Sequence, residues 1–112
     1  MSRWPRMVVP DVAVHVMQRG NHRQPIFFAT GDYDKFLEDL GVAAKAYFCE
    51  IHAYALMTNH VHLLLTPKIA SAVSHMMQAP GRRYVRYFNE KYRRSGTLWE
   101  GRFRSSVVGT SS

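Results

Sequence analysis

From residue 11 to residue 18 the chain alternates, with Val12, Val14 and Val16 set against Ala13, His15 and Met17. A strand sends successive side chains to opposite faces, so this period of two predicts a first strand with one valine face and one mixed face. Arg19-Gly20-Asn21-His22-Arg23-Gln24-Pro25 is its polar, basic exit turn, and Ile26-Phe27-Phe28 returns the chain to the core. The period then lengthens. Phe36, Leu37, Leu40, Ala44, Tyr47 and Phe48 fall near helical spacing, which predicts a helix capped by Asp32 and running to about Phe48, with Asp32 and Asp34 in the first turn, where the helix dipole favours acids. Residues 51–57 and 60–65 read as two strands joined by Thr58-Asn59 alone, a tight hairpin. A second helical pattern covers residues 70–92. Pro80-Gly81 interrupts it, and because an interior proline costs about 3 kcal/mol, a kink or two abutting helices split at Ala79 are expected. Residues 101–108, rich in β-branched and aromatic side chains, make the last strand.

The order is strand, helix, strand, strand, helix, strand. With the helices on one face this is an α+β, ferredoxin-like βαββαβ arrangement: a four-stranded antiparallel sheet whose middle strands are the first and third. His60 and His62 then lie on a middle strand, roughly 6.6 Å apart along it and on the same side. If Val61, Leu63 and Leu65 pack beneath the helices, the histidines face the open side, and a one-residue slip would invert both faces. His15 shares that open side from the first strand, and His52 borders it. Two readings fit the pair: one bound metal ion, or a partly buried polar pair in a sheet. The spacing alone separates them poorly, because no Cys-x-x-Cys, His-Glu-x-x-His or calcium-loop pattern accompanies it. The single cysteine, Cys49, falls at the predicted helix end, where a buried, inert thiol is expected.

With 112 residues, 46% of them hydrophobic, the chain reads as one globular domain over residues 1–108 with a loose tail at 109–112. No apolar run approaches the roughly 18 residues of a membrane span, and the stretch 6–10 is too broken for a signal peptide. One cysteine fits a reducing cytoplasm. The net charge of +7 is unevenly placed: residues 81–104 carry Arg82, Arg83, Arg86, Lys91, Arg93, Arg94, Arg102 and Arg104 against Glu90 and Glu100. Residues 32–68 carry three lysines against five acids. Arginine forks engage phosphate bidentately and stack on bases, so the asymmetry points to nucleic acid; the alternative is a solvated helix face. Arg19, Asn21, His22 and Arg23 join the candidate contacts, against the alternative of an ordinary polar turn. Trp4 and Trp99 read as packing residues, although an exposed Trp99 beside Arg102 and Arg104 would offer a base a stacking face. His75, Met76 and Met77 read as ordinary helix positions.

The run His52-Ala53-Tyr54-Ala55-Leu56-Met57-Thr58-Asn59-His60-Val61-His62-Leu63-Leu64-Leu65 resembles the core of the HUH single-strand tyrosine transposases, especially their REP-associated branch. Supporting stretches are Val14-His15-Val16-Met17-Gln18-Arg19-Gly20-Asn21, Gly81-Arg82-Arg83-Tyr84-Val85-Arg86-Tyr87-Phe88-Asn89 and Gly96-Thr97-Leu98-Trp99-Glu100-Gly101-Arg102-Phe103-Arg104. The resemblance implies a nuclease domain that binds a single-stranded DNA hairpin, usually as a homodimer. It also implies a divalent ion, magnesium or manganese, on His60 and His62; His15, from the alternation of the first strand, and Asn59 are candidate lining residues. A tyrosine oxygen attacks phosphorus in such enzymes, breaking the bond to the 3′ oxygen, and leaves a 5′-phosphotyrosine and a free 3′-OH.

In that family the tyrosine, and an Asn or Gln ligand one helical turn after it, lie on a helix that follows the last strand. These residues stop at Ser112. The resemblance therefore leads us to expect a truncated transposase that binds DNA but does not cut it, with weak metal binding. Tyr84, Tyr87 and Tyr92 match the family's second helix, where tyrosines serve packing or DNA contact. A rival reading is a non-catalytic nucleic-acid module whose sheet acts like an RNA-recognition fold. It asks for aromatics on the open face of the middle strands, where this sequence holds His15, Met17, His60, His62 and Leu64.

Overall fold

The alternating segments form strands β1 (Val14–Arg19), β2 (Cys49–Leu56), β3 (His60–Pro67) and β4 (Arg104–Val107), and the longer-period segments form helices α1 (Thr30–Ala46) and α2 (Ala72–Lys91). This is a computed structural model, and it describes residues 8–108. The strands pair antiparallel in the order β2-β3-β1-β4, so the middle strands are the first and third, as the ferredoxin-like reading expects. Val14 stands opposite Leu65 and Val16 opposite Leu63. These four and Val61 are buried in one core with Phe36 and Leu40 of α1 and Val73, Met76, Tyr84 and Phe88 of α2. Each such aliphatic side chain contributes about 1.5–3 kcal/mol on burial, so a slip that exposed all five would cost more than any polar contact returns. Register is thereby fixed. His15, Met17 and Arg19 of β1 and His60, His62 and Leu64 of β3 take the other face, partly exposed.

Several local expectations are corrected. Helix α1 starts at Thr30 with Ala29 as its N-cap residue, so Asp32 is the third residue inside rather than the cap. It still satisfies the helix start, reaching back so that Oδ2 accepts the N–H groups of Phe28 (2.9 Å) and Ala29 (3.1 Å). The helix ends at Ala46. Cys49 opens β2 instead of closing the helix, and burial pushes its thiol up, leaving it inert. Helix α2 runs unbroken through Pro80, without a split at Ala79. Strand β4 covers only Arg104–Val107; the residues before it are irregular, because Leu98, Trp99 and Phe103 turn into the core instead of alternating. Of the returning Ile26-Phe27-Phe28, the first two are buried, while Phe28 is exposed over Phe88 and Tyr92.

In β2 the pairing shifts between Ile51, opposite Leu65, and Ala53, opposite Leu64, so simple alternation fails at His52. The His52 Nε2 lies 2.7 Å from Thr66 Oγ1. Trp4 and the tail at 109–112 lie outside the described residues.

Candidate functional site

Three histidines meet on the open face. Register places Met17 opposite His62 and Arg19 opposite His60, which brings His15 of β1 diagonally beside His62. The rings of His15 and His62 stack with centroids 5.1 Å apart, and His15 Nε2 lies 2.9 Å from His62 Nδ1. His60 meets His62 edge to face at 4.8 Å. Burial, and then the neighbouring His60, His15 and Arg19 charges, push His62 below the ordinary histidine value, so its imidazole is neutral near pH 7. On the far side, His60 Nδ1 lies 2.7 Å from Asn59 Oδ1.

The turn after β1 is tied to this site by backbone. Gly20 N–H donates to Asn59 O (2.9 Å), Ile26 N–H to Thr58 O (2.8 Å) and Asn21 N–H to Leu98 O (2.7 Å). A side chain at Gly20 would put its Cβ 2.4 Å from Gln24 O, so only glycine lets the turn close. Inside the 3-10 turn (Asn21–Arg23), His22 and Arg23 hold left-handed backbone at φ 55° and 58°, a conformation that costs a non-glycine residue about 1–3 kcal/mol. Both side chains are exposed, and Asn21 is partly so.

The arginine-rich segment does not form one stripe, because α2 and β4 lie in different layers. Arg82, Arg83 and Arg86 are exposed on α2. Arg104 stands opposite Met17 and so shares the histidines' face. With Arg19, Arg102, Glu100, Met17 and Gln18 it lines a small hollow at the β1–β4 edge. Arg82 and Arg102 also rim an apolar cleft of about 360 Å³ whose walls include Met77, Val85, Trp99 and Phe103. Two cations serve the fold instead. Lys91 Nζ binds Asp32 Oδ1 at 2.8 Å, and Arg94 binds Asn89 Oδ1 at 2.6 Å while covering the Phe88 ring.

Trp99 packs, as the sequence suggests; it is buried and donates its indole N–H to Gly81 O (3.3 Å), so it offers no stacking face. Tyr84 is fully buried, donates to Ile26 O, and has its hydroxyl pushed far up by burial. Tyr87 and Tyr92 donate to Asp32. All three tyrosines therefore belong to the helical layer, away from the histidines.

Neutral imidazole nitrogens suit zinc, iron, nickel and copper better than magnesium or manganese, which favour oxygen ligands. His60 and His62 offer two such imidazoles, meeting edge to face with ring centroids 4.8 Å apart. Among the described residues no group of three or more His, Cys, Asp or Glu is arranged to hold a metal. His15, the third histidine, has its Nε2 engaged with His62. No helix among the described residues is long and apolar enough to cross a membrane.

The family model described as "Transposase IS200 like" matches residues 8–112. The structure of a REP-associated tyrosine transposase bound to a REP hairpin superposes with a TM-score of 0.68 at 15% identity, over 99% of this chain and 64% of that one. The chain thus spans somewhat less than two thirds of that protein's length. A crystal structure from Deinococcus radiodurans R1, described as a candidate transposase, gives a TM-score of 0.72 at 23% identity, over 97% of this chain and 88% of that one. No curated protein matches the chain.

Proposed function

This chain belongs to the IS200-like transposase family, and on that premise we propose that it is the DNA-binding nuclease domain of a single-strand transposase. Its partner is a hairpin in single-stranded DNA. One observation carries the reading: His60 and His62 sit with His15 on rigid middle strands of an accessible sheet face, and cationic groups border that face at Arg19, Arg104 and the turn Asn21–Arg23. A site on strands holds its groups more accurately than one on loops.

The assigned DNA contacts are Arg19, Asn21, His22, Arg23, Arg82, Arg83, Arg86, Arg102 and Arg104. Their guanidinium forks take backbone phosphates, while Asn21 and His22 reach bases or sugars at the strained turn. His60 and His62 are assigned to a weakly held divalent ion, magnesium or manganese, with His15 and Asn59 lining the site. Such an ion, when bound, supplies charge stabilisation at the scissile phosphate. The middle strands carry no Phe, Tyr or Trp, so base stacking on an RNA-recognition-like sheet has no platform here. In enzymes of this type the nucleophile is a tyrosine. We assign that role to none of Tyr84, Tyr87 and Tyr92, since all three are engaged in the helical layer. These 112 residues are proposed to hold DNA without cutting it.

Fluorescence anisotropy tests the reading with a labelled single-stranded hairpin and a blunt duplex of equal length, each at two salt concentrations. The hairpin binds more tightly, and affinity falls with salt by a log–log slope of about −0.7 to −0.9 per phosphate neutralised. Arg102→Gln/Arg104→Gln flattens that slope. Equal affinity for both DNAs, or none of the salt dependence, refutes the proposal.

A further inference from the structure

We propose that Asn59 is a positioning residue that fixes the tautomer of His60, and that it takes its own orientation from the carbonyl of Arg23. The inference rests on the proposed site only for the use to which His60 is put. Asn59 Nδ2 donates to Arg23 O at 3.3 Å. A carbonyl accepts and cannot donate, so the amide must turn its nitrogen toward Arg23 and its oxygen toward the other neighbour. That neighbour is His60 Nδ1, 2.7 Å away. Because the Asn59 oxygen can only accept, His60 Nδ1 must carry the proton and Nε2 is left with a free lone pair. The partner of one ring nitrogen thus decides what the other can do.

Three further features make this arrangement more than a chance contact. Asn59 O also accepts the N–H of Gly20 at 2.9 Å, so backbone and side chain of one residue grip both ends of the basic turn. Arg23 itself is left-handed at φ 58°, and the preceding His22 likewise at φ 55°. Strain of this kind persists only where the surroundings hold it, and here it is found in the residue that supplies the acceptor for Asn59. The turn whose side chains are assigned to DNA is therefore in hydrogen-bonded sequence with the imidazole on the sheet: Arg23 O, Asn59 amide, His60 ring.

The test reads the tautomer directly in protein free of metal and DNA. Long-range 1H–15N correlation spectra at pH 8.5 report which nitrogen of His60 is protonated, with assignment by loss of the signal in His60→Ala. Wild type shows Nδ1–H. Asn59→Ala reverts toward Nε2–H, the form free imidazole side chains favour, while Asn59→Asp, which keeps an acceptor, retains Nδ1–H. Calorimetry with manganese gives the second readout, an affinity about tenfold or more weaker in Asn59→Ala than in wild type. Wild-type His60 in the Nε2–H form overturns the proposal, as does an alanine variant that keeps Nδ1–H or titrates manganese as wild type does. Should Asn59→Ala lose its dispersed amide spectrum, wild type and Asn59→Asp decide, and Nε2–H in either overturns it. Hairpin affinity is measured separately, so failure of the tautomer assignment and failure of the DNA reading are distinguishable.

Discussion

Asp32→Asn should destabilise the protein far more than its modest change in shape suggests. Asp32 is fully buried, and its carboxylate accepts five hydrogen bonds. Oδ2 takes the N–H groups of Phe28 and Ala29 and the Tyr92 hydroxyl, and Oδ1 takes the Tyr87 hydroxyl and the Lys91 ammonium. An asparagine amide turned one way points its NH2 at two backbone donors that cannot move. Turned the other way it faces an ammonium, although the Tyr87 hydroxyl can rotate to accept. The second orientation costs less, yet it loses one bond and converts the rest from ionic to neutral acceptors. Hydrogen bonds to a charged group contribute about 1.5–3 kcal/mol and neutral ones about 1, while a neutral amide avoids the several kcal/mol that burying a carboxylate charge costs, so the expected net loss is about 2–4 kcal/mol. For a chain of this size that lowers Tm by about 10 °C.

Urea and thermal melts followed by circular dichroism measure the loss, and pH supplies an independent check. Burial by itself would raise the Asp32 carboxyl, but the Lys91 ammonium, the Tyr92 and Tyr87 hydroxyls and the Phe28 N–H hold it well below the usual carboxylate range. A depressed folded-state value means the stabilisation is fully present above the unfolded pKa of about 3.9 and is lost as pH falls from there toward the folded value. The gap between wild type and variant should therefore be constant above about pH 5 and narrow below about pH 4. A variant within 0.5 kcal/mol of wild type at pH 7, on the scale of ordinary surface substitutions, or a gap that does not change in acid, refutes the reasoning.

Manganese calorimetry should detect weak binding to wild type and none to His60→Ala/His62→Ala; identical titrations would remove the metal assignment. Incubating the 112 residues with hairpin DNA and manganese should give no covalent adduct on a denaturing gel. An adduct lost in Tyr84→Phe, Tyr87→Phe or Tyr92→Phe would show that the nucleophile has been placed wrongly. Sedimentation equilibrium should reveal a homodimer at tens of micromolar, formed where the sheet edge at β4 (Arg104–Val107) pairs with its copy, and a strict monomer would refute the edge-paired form while leaving DNA binding untouched.

Local periodicity was enough for the element order, the antiparallel sheet and the face on which the histidines sit. The reason is that alternation in β1 and β3 leaves one register that buries Val14, Val16, Val61, Leu63 and Leu65 together. The match of several separated blocks to one family was legible for a similar reason, since residue types at fixed spacing are a local property. Charge composition suggested a polyanion partner but not its layout. Tertiary packing divided the cations, tying Lys91 to Asp32 and Arg94 to Asn89 while leaving Arg19, Arg102 and Arg104 at one sheet edge.

Four other decisions belonged to the folded chain alone, because each depends on partners distant in sequence or on backbone geometry that composition does not encode. Asp32 looked like a helix cap, and became a buried anchor only when Tyr87, Lys91 and Tyr92 arrived from the other end of the chain. Trp99 looked like a packing residue or a stacking face, and the Gly81 carbonyl chose between them. His15 already read as sharing the open face, but its direct contact with His62, 47 positions away, came from the packing. Asn59 read as a turn residue lining the site; its hold on both Arg23 and His60 exists because antiparallel pairing sets the exit of β1 against the start of β3. Periodicity fixes which way a side chain points, whereas hydrogen-bond partners and protonation are set by what long-range packing places opposite it.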